Sequence, residues 1–189
     1  MPLSKAHKQR SKEKILDSAN RLFADRGFNK VSIDQLMQDA GMTRGAFYAH
    51  FKSKEDLYSQ TMISAATKSK IMNCDETNMA FYKTVINEYL DMSHVKQNNI
   101  PCGLAFFVTD VANEQPEVRK VYTQLFKGLV QMLTDQQSEN NKDKKNKKIM
   151  AIAAMMIGGV AVSRALIDDN AIEELLESCR SIAGELVGY

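Results

Sequence analysis

The chain has 189 residues, 44% of them hydrophobic and 25% charged, with 9 Gly, 3 Pro, 3 Cys, no Trp and a formal net charge of +2. This balance describes a globular protein of one large domain or two small ones sharing a core, and it excludes fibrous and disordered chains. The cysteines, at 74, 102 and 179, form no CxxC pair, which argues against a disulfide framework and for a reducing compartment, expected to be the cytoplasm.

From the N-terminus, Lys5, Lys8, Arg10, Lys12 and Lys14 face only Glu13. There is no apolar run there of the kind a signal peptide has. Residues 1–60 hold 11 Lys/Arg against 7 Asp/Glu, whereas residues 61–189 hold 14 against 16. A basic end on a near-neutral protein fits either contact with a polyanion or a solubilising tail. Ile15, Leu16, Ala19, Leu22 and Phe23 recur at helical spacing, which predicts a helix from about Ser11 to Arg26, closed by Gly27. Ser32 and Gln35 form a capping-box pattern for a short second helix with Ile33, Leu36, Met37 and Ala40 on one face. Gly41 ends it. Thr43 then caps a third helix from Arg44 to Phe51, with Ala46, Phe47 and Phe51 inward and Arg44, Gly45, Tyr48, Ala49 and His50 outward.

Ser53 opens a fourth, long helix reaching about Met72, followed by a loop over residues 73–78. Met79, Tyr82, Val85, Ile86, Tyr89 and Leu90 mark the next helix. Pro101 and Pro116 each begin a helix at the favoured first position. The first of these carries Leu104, Phe107, Val108 and Val111, and the second a seven-residue rhythm from Val118 to Leu133. The lysine-rich stretch 135–148 reads as a solvated loop or as a basic patch for nucleic acid, and runs into an apolar helix ending near Ile167. Its run Ile149–Val162 is about 14 residues, short of the roughly 20 a membrane span needs. No membrane contact is expected. Asn170 and Glu173 form a capping box for the last helix, with Ile172, Leu175, Leu176, Cys179, Ile182, Ala183 and Leu186 as its stripe. The fold class is therefore all-α, with about nine helices. A head of residues 1–52 carries the basic N-terminal arm, and a helical body covers residues 53–189.

The stretch DAGMTRGAFYAHF (residues 39–51) fits a helix-turn-helix, in which a helix of about three turns enters a major groove and its predecessor braces it. Gly45 leaves that helix bare near its start, Arg44 can reach a guanine edge or a phosphate, and Thr43 lies where N–H groups favour a phosphate. Tyr48, His50 and Lys52 add polar tips. A glycine-turned helix pair also occurs in helical proteins that bind no DNA.

Residues 11–58, with the run ILDSANRLFADRGFNKVSIDQLMQDAGMTRGAFYAHFKSKEDLY, resemble the TetR/AcrR family of bacterial transcriptional regulators. The stretch IGGVAVSRALIDDNAIEELLESCR is similar to the last two helices of one of its subgroups. The resemblance implies an all-helical homodimer that binds double-stranded operator DNA, usually as a repressor, and leaves it on binding a small-molecule effector. It implies DNA contacts at Ser32, Thr43, Arg44, Gly45, Ala46, Tyr48, His50, Lys52 and Lys54. Ser32 stands where Thr is commoner, Met42 replaces a small apolar residue, and Phe47 replaces Leu or Ile. With little hydrogen bonding from Ala46 and Ala49, base readout leans on Arg44 and His50.

A dimer that places two heads in successive grooves needs an interface, and the last two helices, about residues 149–187 with Gly158–Gly159, are the expected one. The alternative is that the apolar helix is simply the centre of the monomer. Tyr82, Tyr89, Phe106, Phe107, Tyr122 and Phe126, with Met62, Met79 and Met92 as filler, either wall an effector pocket or form plain core. Cys102, at a helix start, reads as a small buried apolar residue or as a thiol whose acidity the helix dipole raises. Some regulators that this chain resembles carry a cysteine near this helix start, and a few of those sense electrophiles or oxidants. Cys74 is expected to lie in a loop without a partner, and His94 at the surface. No catalytic constellation, metal-ligand cluster or phosphate loop is visible, so neither an enzyme nor a cofactor is expected. The competing class is a helical protein–protein adaptor whose basic arm binds an acidic partner.

Overall fold

A computed structural model describes residues 5–69, 71, 74–96, 102–136 and 142–189. Among the described residues there are eleven helices and no strand. The order is α1 (Lys5–Arg26), α2 (Ile33–Asp39), α3 (Arg44–Tyr48), α4 (Lys54–Lys68), α5 (Asn78–Tyr89), α6 (Met92–Val95), α7 (Gly103–Phe106), α8 (Val108–Val111), α9 (Pro116–Asp135), α10 (Lys142–Ser163) and α11 (Asp169–Val187). Two of the additions to the expected count have local causes. Asp91 caps the one-turn α6 by accepting from the Ser93 N–H at 2.8 Å. Phe107, with φ −109° and ψ 2°, separates α7 from α8 where one helix was expected. Its ring is fully buried and lies 5.0 Å from the Tyr58 ring, so packing fixes the break.

Helix α1 starts earlier than its apolar face does. Its buried residues begin at Ile15, while the turns from Lys5 to Lys14 stand out from the core. At the other end Gly27 adopts φ +82° and its N–H bonds the Phe23 carbonyl at 2.9 Å, a left-handed cap that glycine takes without strain. Phe28 is buried, with its ring 5.6 Å from Phe23. A Cβ at residue 27 would also lie 3.2 Å from an Asp110 carboxylate oxygen. That carboxylate accepts the Phe28 N–H at 2.8 Å, so α8 seals the end of α1.

Helix α4 packs on α1, α7 and α9, burying Leu57, Tyr58, Thr61, Met62 and Ala65. It ends at Lys68, short of the expected Met72, and Lys68 pairs with Asp17 of α1 at 2.7 Å. Pro116 occupies the first turn of α9 as anticipated. Pro101 and residues 137–141 lie outside the described residues, and from Lys142 the lysine-rich stretch is helical.

Helix α10 ends at Ser163, before the expected Ile167, which stands fully exposed. Ile149, Ile152, Ala153, Met156, Ile157 and Val160 face the core, while Met150 and Val162 are exposed on the other side. Of the glycine pair, Gly159 serves the protomer itself. A Cβ there would lie 2.9 Å from Leu90 Cδ2 and 3.3 Å from Cys179 Sγ, whereas one at residue 158 would meet open space. Helix α11 is capped by Asp168, which accepts from the Asn170 N–H, and not by the expected Asn170–Glu173 box. Ile182, expected in the buried stripe, is exposed. The buried residues of α1 to α3 and those of the later helices belong to one apolar cluster running from Ile15 to Ala183.

Candidate nucleic-acid interface and effector site

The α2–turn–α3 unit is built by capping. Ser32 accepts from the Gln35 N–H at 3.2 Å, and the Gln35 side chain accepts the Ser32 N–H at 2.8 Å, which is the reciprocal box read from the sequence. At the far end Met42 N–H reaches the Met37 carbonyl at 2.8 Å and Gly41 N–H the Gln38 carbonyl at 3.1 Å, a Schellman pair with Gly41 at φ +67°. The chain then turns into α3, where Thr43 holds the N-cap position but makes no side-chain capping bond. The Thr43 hydroxyl is thus not committed to its own helix. Phe47 is fully buried and Phe51 nearly so, and these two rings anchor α3.

That anchoring leaves Thr43, Arg44, Gly45, Tyr48 and Ala49 exposed on one side, with Ala46 half-buried at its edge. Tyr48 is 57% exposed, a large fraction for an aromatic side chain. Arg44 Nη1 donates to both Asp34 oxygens, at 3.1 and 2.9 Å, in an ion pair open to solvent. The Tyr48 hydroxyl and Asp34 hold the guanidinium in its charged form. Ser32 is exposed at the start of α2, and Lys52 is exposed with its backbone N–H on Asp56. His50 is half-buried. Burial first, then Lys8 and Lys12, lower its basicity. Lys54 is placed differently from the other eight. Its ammonium donates to the Phe28 carbonyl at 2.5 Å and lies 4.1 Å from the Phe28 ring centroid, which makes it an internal strut between α4 and the loop after α1.

In the body the six aromatic residues separate into groups. Tyr82 is buried with its hydroxyl on the Leu133 carbonyl, and Phe107 is fully buried against Tyr58, so both serve as packed core. Tyr89 and Tyr122 bond to the start of α7, Phe106 is its last residue, and Phe126 is half-buried on α9. Cys102 is the N-cap of α7, half-buried, with its sulfur 3.3 Å from the Tyr89 hydroxyl. Tyr122 donates to the Leu104 carbonyl at 2.8 Å.

His94 corrects an expectation. It is buried, at 8% exposure, with Nδ1 2.6 Å from the Tyr89 carbonyl oxygen and its ring stacked on Phe106 at 5.8 Å. Burial pushes the Cys102 thiol up, but the His94 ring, the Tyr89 hydroxyl and the Ala105 N–H together hold it below its ordinary value. No spacing in the sequence announced this meeting, because the segment between α6 and Cys102 carries no periodic signal.

Two further residues that sequence reasoning passed over join the regions. One is Asp110, described above. The other is Arg164, just past α10, which donates to the Ala24 carbonyl at 2.5 Å and the Phe106 carbonyl at 3.5 Å. Its guanidinium lies 3.8 Å from the Phe106 ring centroid. Cys102, Tyr89, His94, Phe106, Arg164 and the end of α1 thus form a continuous chain of contacts.

Residues 15–61 match the family described as "Bacterial regulatory proteins, tetR family". Over that segment the chain is similar to the TetR/AcrR family of transcriptional regulators. It is 44% identical over 57 residues to the transcriptional regulator AcrR of Shigella flexneri, a match covering 30% of this chain and 26% of AcrR. It is 30% identical over 112 residues to the transcriptional repressor BepR of Brucella suis biovar 1, covering 58% of this chain and 49% of BepR. The matched segments therefore span a quarter to a half of these curated relatives. A TetR transcriptional regulator from Legionella pneumophila shares the fold over 98% of both chains, with a TM-score of 0.74 at 19% identity. Among the described residues, no helix is long and apolar enough to cross a membrane.

Proposed function

We propose that the protein is a sequence-specific, DNA-binding transcriptional regulator that acts as a repressor and leaves its operator when an effector reaches the body. The observation that carries this reading is the bare side of α3. Thr43, Arg44, Gly45 and Tyr48 stand exposed on a helix whose other side is locked by Phe47 and Phe51, inside the segment that matches the family. Residues 1–52 act as the DNA-binding head and residues 53–189 as the regulatory body. Arg44 exchanges Asp34 for a guanine edge or a phosphate, an inexpensive swap because the pair is already hydrated. Thr43 and Ser32 contact the backbone, and His50, Lys52 and Ala46 border them. Lys54 acts by positioning the loop that holds Phe28.

The protein works as a homodimer through α10 and α11, whose outer side exposes Met150, Val162 and Ile182 and leaves open space at Gly158. Two-fold pairing there sets two heads at successive major grooves. Its three cysteines are free, as suits a regulator working on DNA in the cytoplasm.

The effector enters beside Cys102, Tyr89 and Tyr122, with Phe106 and Phe126 at its edges. Displacing Phe106 disturbs Arg164 and, through it, the end of α1. The two head orientations are then biased by a difference in binding between the two states. A thiol route is favoured by the His94 and Tyr89 contacts, which hold the Cys102 thiol below its ordinary value, whereas burial raises that of Cys179. The first test is sequencing of genomic fragments retained by the purified protein. Enrichment of an inverted repeat is expected, and retention without sequence preference would return the field to an adaptor. The thiol route is tested by the pH profile of Cys102 alkylation, which moves to higher pH in His94→Ala. An unmoved profile removes His94 from the mechanism.

A further inference from the structure

Beside α3 there is a second basic feature that the recognition helix does not use. The first two turns of α1 and the end of α3 enclose a groove of about 320 Å³ lined by Lys5, Lys8, Gln9, Lys12, Ala49 and His50. Residues 5, 8 and 12 recur at the three- and four-residue intervals that place side chains on one helix face. Along that face the row is about 10 Å long at 1.5 Å per residue, the length of about three base-pair steps of one DNA strand at 3.4 Å each. Among the described residues none of the three lysines is in an ion pair. No carboxylate lines the groove, and Glu13, on the next turn of α1, is engaged by the Gln9 amide at 2.9 Å. This part of α1 touches the core lightly, through the Lys12 ammonium 5.9 Å from the Phe51 ring centroid. It buries no residue before Ile15, yet it continues as regular helix and holds its cations in register.

We infer that this groove binds backbone phosphate of the duplex that α3 enters, clamping the strand that borders the recognition site. The inference rests on the DNA-binding reading above and adds a second contact surface to it. Ala49 ties the two surfaces together, since it caps the end of α3 and lines the groove. A strand lying against Tyr48 therefore passes the mouth of the groove. The contact is to phosphate and carries no sequence preference, so it adds affinity and fixes register without altering specificity.

His50 gives the site a signature. It faces Lys8 and Lys12 from α1 and rests on the Phe51 ring, 6.1 Å between centroids, with no carboxylate lining the groove it faces. In the free protein burial and the two ammonium groups keep the imidazole neutral more readily than usual. A phosphate in the groove neutralises the ammonium charges and favours imidazolium, so binding takes up a proton. By linkage, affinity rises as the pH falls through the bound-state value of His50 and levels off below its free-state value, with a limit of tenfold per pH unit for one proton.

The test uses the full-length protein and a fluorescent duplex selected by the wild type from random sequence, with affinity measured by anisotropy across salt and pH. The triple variant K5A/K8A/K12A is expected to keep the ratio between the selected and a scrambled duplex. It should lose about two to three per protomer, or about five for the bound dimer, from the slope of log affinity against log salt, since each phosphate contact contributes about 0.9. The arginine triple K5R/K8R/K12R is expected to restore the slope, and H50Q to flatten the pH dependence. A wild-type slope in the alanine triple, or a lost preference between duplexes, overturns the clamp while leaving the recognition helix in place. Failure of the wild type to select any duplex overturns the DNA reading itself.

Discussion

The outward side of α3 and the cluster behind α7 hold similar residues in opposite settings. Each has a tyrosine, an arginine nearby and a histidine. On α3, Tyr48 is 57% exposed and Arg44 pairs with Asp34 in water, so these contacts can be traded for those of a ligand with little loss. Behind α7, Tyr89 is 2% exposed, His94 is bonded to its carbonyl, and Arg164 is half-buried over Phe106. Contacts of that second kind cannot be traded one at a time, because a buried polar group left without a partner costs its full desolvation. The first setting suits reading a surface, and the second suits switching between two packed arrangements.

Substitutions made in pairs, one per region, sharpen that contrast. The largest effect is expected at the tyrosines. Tyr89→Ala should cost about 3–5 kcal/mol of stability, as for other large aromatic truncations in a core. Tyr48→Ala should stay within about 0.5 kcal/mol. Urea midpoints of the two variants check this, and equal losses would erase the distinction. Next come the arginines. Arg164→Ala removes charge-assisted bonds to Ala24 and Phe106 and should cost about 2–3 kcal/mol. Arg44→Ala should leave the melting midpoint unchanged and weaken operator binding about ten- to hundredfold, the range of one good bidentate base contact.

The smallest pair lies within the head itself. Ser32→Ala should cost about 1 kcal/mol, because it removes one half of a reciprocal cap. Thr43→Ala should cost close to nothing in stability, since its hydroxyl caps no backbone group, and should act on DNA binding alone. Thermal melts of the two variants with and without duplex separate these outcomes.

The head was legible in the sequence because its signals are local. Gly27, Gly41, the Ser32–Gln35 box and the inward Phe47 and Phe51 each follow from backbone or capping rules that act over a few residues. The cluster behind α7 was less legible, because its contacts link separate short elements instead of following one helix. Cys102 was singled out from its place at a helix start, but His94 was expected at the surface. Its partners are the Tyr89 carbonyl, five residues earlier, and the Phe106 ring, which only the tertiary fold brings against it. Lys54 illustrates the converse. Its place in the motif implied DNA contact, and only the fold brings its ammonium onto the Phe28 carbonyl. The use of Gly159 inside the protomer, against Leu90 and Cys179, was equally invisible to a pattern search for close helix approach.

The contact from Arg164 to Ala24 joins positions 140 residues apart. During synthesis at roughly 5–20 residues per second, the first helix emerges on the order of ten seconds before the guanidinium that finishes its C-terminal end. A ribosome-bound chain therefore exposes α1 to α3 with one terminal carbonyl of α1 still unsealed. The end of α1 is complete only once α10 has been made, so under the proposed function competence for DNA arrives together with the proposed pairing surface.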